Sequence, residues 1–186
     1  MEWRIVGPMK EAIPGAGFDA PLAMLATCHE RGERQCATLL RLVAHLREHG
    51  ADAQAREAAT AVMRYFDRAS PDHHADEETD LFPALIESMA GSDAVCLNDL
   101  TRSLKADHRE LEARWQTLRA PLERISAGQP ETLDNGSVQA LVDGYRQHSA
   151  REDAELLPLA ARLLGDAALQ RIGQSMRSRR GISNGG

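Results

Sequence analysis

Aromatic residues make up only 4% of this 186-residue chain, which argues against a β-sandwich or barrel, where aromatic and β-branched side chains dominate. Its three cysteines, Cys28, Cys36 and Cys96, form no CxxC motif and cannot all pair. A disulfide framework and a thiolate metal site therefore have little support, and a reducing compartment is the simplest setting. No run of eighteen apolar residues occurs, so a membrane-spanning helix is not expected. The opening MEWRIVGPMKEAIPGAG places acids and prolines where a signal peptide needs an unbroken apolar stretch, and a cytoplasmic location is expected. With 22 basic against 28 acidic residues, for a formal net charge of −6, the surface offers no general attraction to nucleic acid. The one basic cluster, Arg177, Arg179 and Arg180, reads as a solvated helix end whose cations suit the helix dipole, in preference to a binding patch.

What remains is a chain of helix formers, rich in Leu, Ala, Arg and Glu, with 42% apolar residues and a length suited to one domain with a sizeable core. Residues 1–19, with Pro8 and Pro14 and no apolar period, read as a leader on the domain surface. Four long segments between 20 and 165 then carry apolar stripes at helical spacing. The first passes through Leu22, Leu25, His29, Gly32, Cys36, Leu39, Val43 and Leu46 to a stop at Gly50. A second runs from about Asp52 to Met89 through Val62, Phe66, His73, Glu77, Leu81 and Leu85, with Pro71 expected to kink or split it. A turn and helix cap at Gly91 and Ser92 lead to the third, through Leu104, His108, Leu111, Trp115 and Ile125, where Pro121 is expected to bend the last turns. The fourth carries Val138, Leu141, Tyr145, His148, Glu152, Leu156, Leu159 and Leu163. A short helix over about 166–179 and a tail complete residues 166–186. The expected fold is all-α, an antiparallel up-down four-helix bundle with that fifth helix covering one end.

Each stripe holds a histidine where leucine is expected, and each histidine has a glutamate four residues later: His29/Glu33, His73/Glu77, His108/Glu112 and His148/Glu152. In a helix, residues i and i+4 lie one turn apart on one face. Counting His74/Glu78, five of the seven histidines have this partner, against about 0.6 expected from 15 glutamates in 186 positions. Two of the pairs share a longer frame, since HHADEETDLFP from His73 to Pro83 aligns without gaps to HSAREDAELLP from His148 to Pro158. The repeat selects His73 with Glu77 and leaves His74 and Glu78 about 100° round the helix.

Imidazoles and carboxylates converging inside a bundle are costly unless something positive compensates them, at least several kcal/mol for each free charge. A metal does so, and a histidine and carboxylate set without thiolate favours iron, manganese or zinc. Six or seven such ligands exceed what one four-coordinate zinc takes, and they suit two octahedral metals sharing bridging carboxylates. With one histidine on the first helix, HxxxE on the second, a histidine-led pair on the third and HxxxE on the fourth, the chain resembles the hemerythrin family of HHE cation-binding domains over roughly residues 20–165.

That resemblance implies two iron ions, bridged by carboxylates and an oxo or hydroxo group, with manganese or zinc as alternatives. Carried over by position, His29 and His73 would bind one iron, His108, Glu112 and His148 the other, and Glu77 and Glu152 would bridge. The implied partners are small molecules: dioxygen, peroxide or nitric oxide. The chain departs from oxygen-carrying members at Glu112, where they have a histidine, and at Glu152, where they have an aspartate one residue further on. Added carboxylate should stabilise the oxidised pair, so oxidase, peroxidase or sensing chemistry is favoured over reversible oxygen carriage; a store or a structural module is the alternative. The ferritin-like arrangement, with glutamate three residues before histidine, is found at none of the seven histidines.

Several residues are expected outside the ligand set. Glu33 reads as a surface acid or a neighbour of the ligands, and His74, Asp76 and Glu78 as solvated or outer neighbours. Tyr145, one turn before His148, and Tyr65, two turns before His73, are expected in the core. A Tyr145 that did reach the site could hydrogen-bond a bound oxygen or donate an electron. His45 and His49 end the first helix and are assigned no site role. Cys28 and Cys36 are expected as buried small hydrophobes.

Overall fold

The computed structural model describes residues 17–89 and 93–182. Most of the leader at 1–19 and the turn with its cap at Gly91 and Ser92 lie outside the described residues. Among those described, every regular element is helical. Helix α1 (Pro21–His49) starts with proline in its first turn, where a missing N–H is harmless, and stops at Gly50, whose φ of +66° suits glycine. Helix α2 begins at Ala53 behind an Asp52 cap that accepts from the Ala55 N–H at 2.8 Å and contacts His45 at 2.9 Å. That contact accounts for His45.

Rather than splitting at Pro71, α2 runs on through Ala53–Arg64, a π-helical Tyr65–Ala69, Ser70–Ala75, a second π-helical Asp76–Leu81 and Phe82–Ser88. Helix α3 (Asp93–Ser126) is unbroken across Pro121. Helix α4 comprises Asn135–Arg151, a π-helical Glu152–Leu156 and Leu157–Leu163, capped at its start by Asp134, which accepts from the Ser137 N–H at 2.7 Å. Helix α5 covers Asp166–Arg179.

The three π segments share a feature that favours them. Each closes with an N–H bonded to the carbonyl five residues earlier, Ser70 to Tyr65, Phe82 to Glu77 and Leu157 to Glu152. The next residue in each case is proline: Pro71, Pro83 or Pro158. Proline cannot donate, and its ring presses on the carbonyl four residues back, which a wider turn relieves. Winding in an extra residue also shifts the stripe, so after Leu156 the buried positions are Ala160 and Leu164 in place of the expected Leu159 and Leu163.

Helix α1 packs on the first part of α2 and on α4, and α3 packs on the same two helices, so the four long helices form a bundle. Its apolar interior falls into two clusters. One gathers Leu39, Val62, Phe66, Trp115, Leu141 and Tyr145, the other Leu25, Leu81, Phe82, Leu104, Leu156 and Met176. His29, His73, Glu77, His108, His148 and Glu152 are buried among the same helices, each at most 4% exposed. Helix α5 is tied to α2 by charge: Asp76, fully buried, receives Arg179 and Arg180, the latter at 2.6 Å, and Asp80 receives Arg179 at 2.7 Å. The basic cluster is therefore no solvated helix end in these two residues. Asp76 likewise is a buried anchor beside Glu77 and not a solvated acid.

Candidate metal centre

The six buried polar residues form two groups that overlap. His29, His73, Glu77 and Glu152 make the first, and Glu77, His108, His148 and Glu152 the second, with ligand atoms in each group all within 4.8 Å of one another. The two carboxylates common to both groups come from the two repeats, and in each the glutamate opens a wide turn, Glu77 within Asp76–Leu81 and Glu152 at the head of Glu152–Leu156. The turn from His148 to Glu152 is itself regular, with the Glu152 N–H on the His148 carbonyl. The wide turn that follows each glutamate keeps the buried face in steps of four, His73, Glu77, Leu81 and Leu85 on α2 and His148, Glu152, Leu156 and Ala160 on α4, and such turns are common at functional sites.

Distances inside the cluster are short. His29 Nε2 lies 3.0 Å from Glu152 Oε2 and 3.1 Å from His73 Nε2, His148 Nε2 lies 3.2 Å from Glu152 Oε1, and His108 Nε2 lies 3.3 Å from Glu77 Oε2. Even so, none of the four carboxylate oxygens, and neither Nε2 of His108 and His148, has a properly aligned hydrogen-bond partner. Buried acceptors left this way are costly, roughly 1–3 kcal/mol each and more for charged groups. Apart from the hydrogen bond between His29 and His73, these nitrogen and oxygen donors converge without aligned bonds to one another, which a divalent or trivalent cation would satisfy, so the residues fit a metal in each group.

Outer carboxylates fix two of the rings. Asp153 lies 2.8 Å from His29 Nδ1 and Glu78 2.7 Å from His108 Nδ1, while Asp107 is 3.8 Å from His148 Nδ1. Carboxylates on the far ring nitrogen orient an imidazole and leave its other nitrogen aimed at a metal. Glu78 is therefore tied to the site, one of the two roles left open for it above. Asp153 was missed there, although it follows Glu152 directly, because its partner belongs to another helix.

Ionisation follows from this crowding. Burial opposes a charge on His29, but Glu152 and Asp153 outweigh it and push the imidazole up to about 9. Burial also opposes a charge on His108, which Glu152, Glu77 and Glu78 raise to about 10. Burial, joined by the Glu152 charge, pushes Glu77 up to about 8. Glu152 resists its own burial because His108 and His29 hold it well below the usual carboxylate range. Burial drives His73 down to about 3 and lowers His148. Without a cation the cluster thus balances itself with protons, as buried charges must.

Glu112, expected among the ligands, falls elsewhere, while Glu33 takes one of the two places open to it. Glu112 is exposed, accepts from Gln116 Nε2 at 2.6 Å and joins neither group. The buried stripe of α3 steps from His108 to Leu111 and Trp115, so the position one turn after His108 by fours is rotated outward. Glu33 is a surface acid, gripped by Arg146 through contacts of 2.6–3.1 Å. It ties α1 to α4 and touches no ligand.

Tyr145 lies in the core with its hydroxyl 2.6 Å from that of Tyr65. Tyr65 donates to the Cys28 carbonyl at 3.1 Å, so Tyr145 must be the donor between the phenols, and its proton is committed to Tyr65. Gly32 permits this, since a Cβ there would stand 2.0 Å from the Tyr145 oxygen. Cys28 and Cys36 are buried free thiols, and burial raises both, Cys36 to about 12. They are inert as thiolates. A surface depression of about 480 Å³, bounded by Glu33, Arg34, Tyr145, Arg146 and Asp153, reaches His29.

Helical scaffold, buried histidines and shared carboxylates define a cation-binding bundle. The chain belongs to the family of the hemerythrin HHE cation binding domain, which it matches over residues 20–160. It is also similar to an uncharacterized protein of Haemophilus influenzae, 29% identical over 167 residues that cover 90% of this chain and 94% of that one. Among the described residues no helix is long and apolar enough to cross a membrane.

Proposed function

We propose that this chain is a di-iron protein that binds or reacts with a small oxidant inside its bundle. The observation that carries this reading is the pair of overlapping ligand groups sharing Glu77 and Glu152, all of whose carboxylate oxygens are buried without partners. On this reading His29 and His73 would hold one iron and His108 and His148 the other, and Glu77 and Glu152, common to both groups, would serve both. Bound there, the pair would supply electron transfer to dioxygen, peroxide or nitric oxide. The chain's own part is to exclude water, to hold the imidazoles through Asp153 and Glu78, and to offer approach to His29 by the depression at Tyr145 and Asp153. The packing of α1 and α3 on α2 and α4 supports an antiparallel up-down course for the four helices.

Metal analysis of protein from iron-replete cells, with absorption spectra before and after peroxide, tests the reading. Two irons per chain with the near-ultraviolet absorption of a bridged pair are expected. A single zinc and no redox-dependent colour would overturn it. Catalytic turnover of peroxide that disappears in His73→Ala would mark an enzyme, and stoichiometric uptake alone a binding protein.

A further inference from the structure

His74 stands one residue off the repeat, where the matching position of the second copy is Ser149. The two neighbours His73 and His74 lie about 100° apart on α2, and this spreads them across the inner face of the helix. His73 joins His29 in one ligand group, while His74 joins His108 and His148 in a third, again within 4.8 Å. Its Nε2 is buried without a hydrogen-bond partner. The ring stacks on His108 at 3.9 Å between centroids with planes 10° apart, and meets His148 edge-on at 6.0 Å.

Around it Phe66, Leu111, Trp115 and Leu141 enclose, together with the polar Ser70, Glu112 and Tyr145, a space of about 10 Å³, no more than one water would fill. Nothing among these neighbours gives Nε2 a partner. A leucine would pack there at no polar penalty, so an imidazole needs a reason, and the two nearest donors of its kind supply one.

We propose that His74 is a ligand of the metal held by His108 and His148, so that the chain presents three nitrogens to one metal and two to the other. The inference rests on the metal-pair reading above. It replaces Glu112, which the fold turns outward, as the additional protein donor on that side. The repeat explains the asymmetry, because Ser149 at the equivalent place is too short to reach as an imidazole does and instead borders the depression at His29.

The test loads wild type and His74→Gln with ⁵⁷Fe and reads iron content and Mössbauer spectra. Wild type should hold two irons as two inequivalent doublets. In His74→Gln the doublet of one iron should move, and that iron should bind about tenfold more weakly, with the other doublet unchanged. In His74→Gly, added imidazole should restore the wild-type spectrum, which separates a lost ligand from a damaged fold. Two irons with both wild-type doublets in His74→Gln, or no imidazole response in His74→Gly, would overturn the role of His74 and leave the metal pair standing. A wild type without paired irons would overturn both.

Discussion

The segments His73–Pro83 and His148–Pro158 share the HxxxE spacing with His108–Glu112 on α3 and His29–Glu33 on α1, yet the glutamates end in opposite places. Glu77 and Glu152 are fully buried in the cluster, whereas Glu112 pairs with Gln116 and Glu33 with Arg146 on the surface. The difference is local winding. Both inward glutamates sit in π-helical turns that end just before a proline, and both outward ones sit in regular α-helix. The step from histidine to glutamate is alike in all four, and the wide turn after Glu77 and Glu152 keeps the buried face in steps of four, whereas α3 alternates steps of three and four, from His108 to Leu111 and Trp115, and leaves Glu112 outside.

Removing an inward glutamate should have the largest effect. Glu152→Gln keeps shape but takes away the one carboxylate that approaches His29, His108 and His148 within 3.6 Å. Metal content should fall from a pair to less than one per chain, read by elemental analysis after gel filtration. A variant that retains a full pair would break the claim that this side chain serves both metals.

Acid should come next. In the metal-free protein Glu77 is pushed up to about 8, His29 to about 9 and His108 to about 10, so at neutral pH all three carry protons that a metal must displace. The sign is fixed: affinity rises with pH and is lost on acidification. With one proton from each group, affinity should change by up to about a thousandfold per pH unit near neutrality. Titrating metal into weakly buffered protein and following a pH indicator measures the release directly. Uptake without proton release would mean that the cluster does not hold its charge balance in this way.

A subtler change addresses winding itself. Pro83→Ala with Pro158→Ala restores the missing N–H and should let both segments relax toward regular helix, turning Glu77 and Glu152 part of the way out. Metal affinity should drop about tenfold, in the range found when groups that orient ligands are altered. Pro121 lies inside α3 with no π turn, so proline alone does not impose the wide turn, and Pro121→Ala serves as the control. Unchanged affinity in the double variant would assign the winding to packing around the glutamates instead.

Much of this was legible in the sequence. Apolar spacing and the caps revealed the long helices, and the gapless repeat singled out the two glutamates that share the cluster. The repeat even contains the prolines, but the expectation attached to Pro71 was a kink or a split, because a proline is usually read as a helix breaker and not as a cause of overwide turns. What spacing could not reveal were partners chosen across helices: Asp153 for His29, Glu78 for His108, and the burial of Asp76 under Arg179 and Arg180. Each needs the relative rotation of two helices, which three π turns alter by about a residue apiece. His74 illustrates the same limit, since its register sets it apart from His73 and only the packing of α2 on α3 brings its ring onto that of His108.

The smallest effect expected is at Glu112, and for that reason it is the sharpest test of winding against spacing. Glu112→Gln removes a charge one turn from His108 while leaving the exposed contact with Gln116 replaceable by water, so the fold should change by no more than a few tenths of a kcal/mol. Metal content, iron spectra and the pH dependence of binding should all match wild type. A lost iron or a raised reduction potential in this variant would show that α3 turns Glu112 inward when metal binds. That outcome would restore the extra carboxylate expected from spacing. If the variant is silent, the added carboxylate expected to stabilise the oxidised pair is absent from the site, which then holds only Glu77 and Glu152, the two acids that the repeats carry into the core.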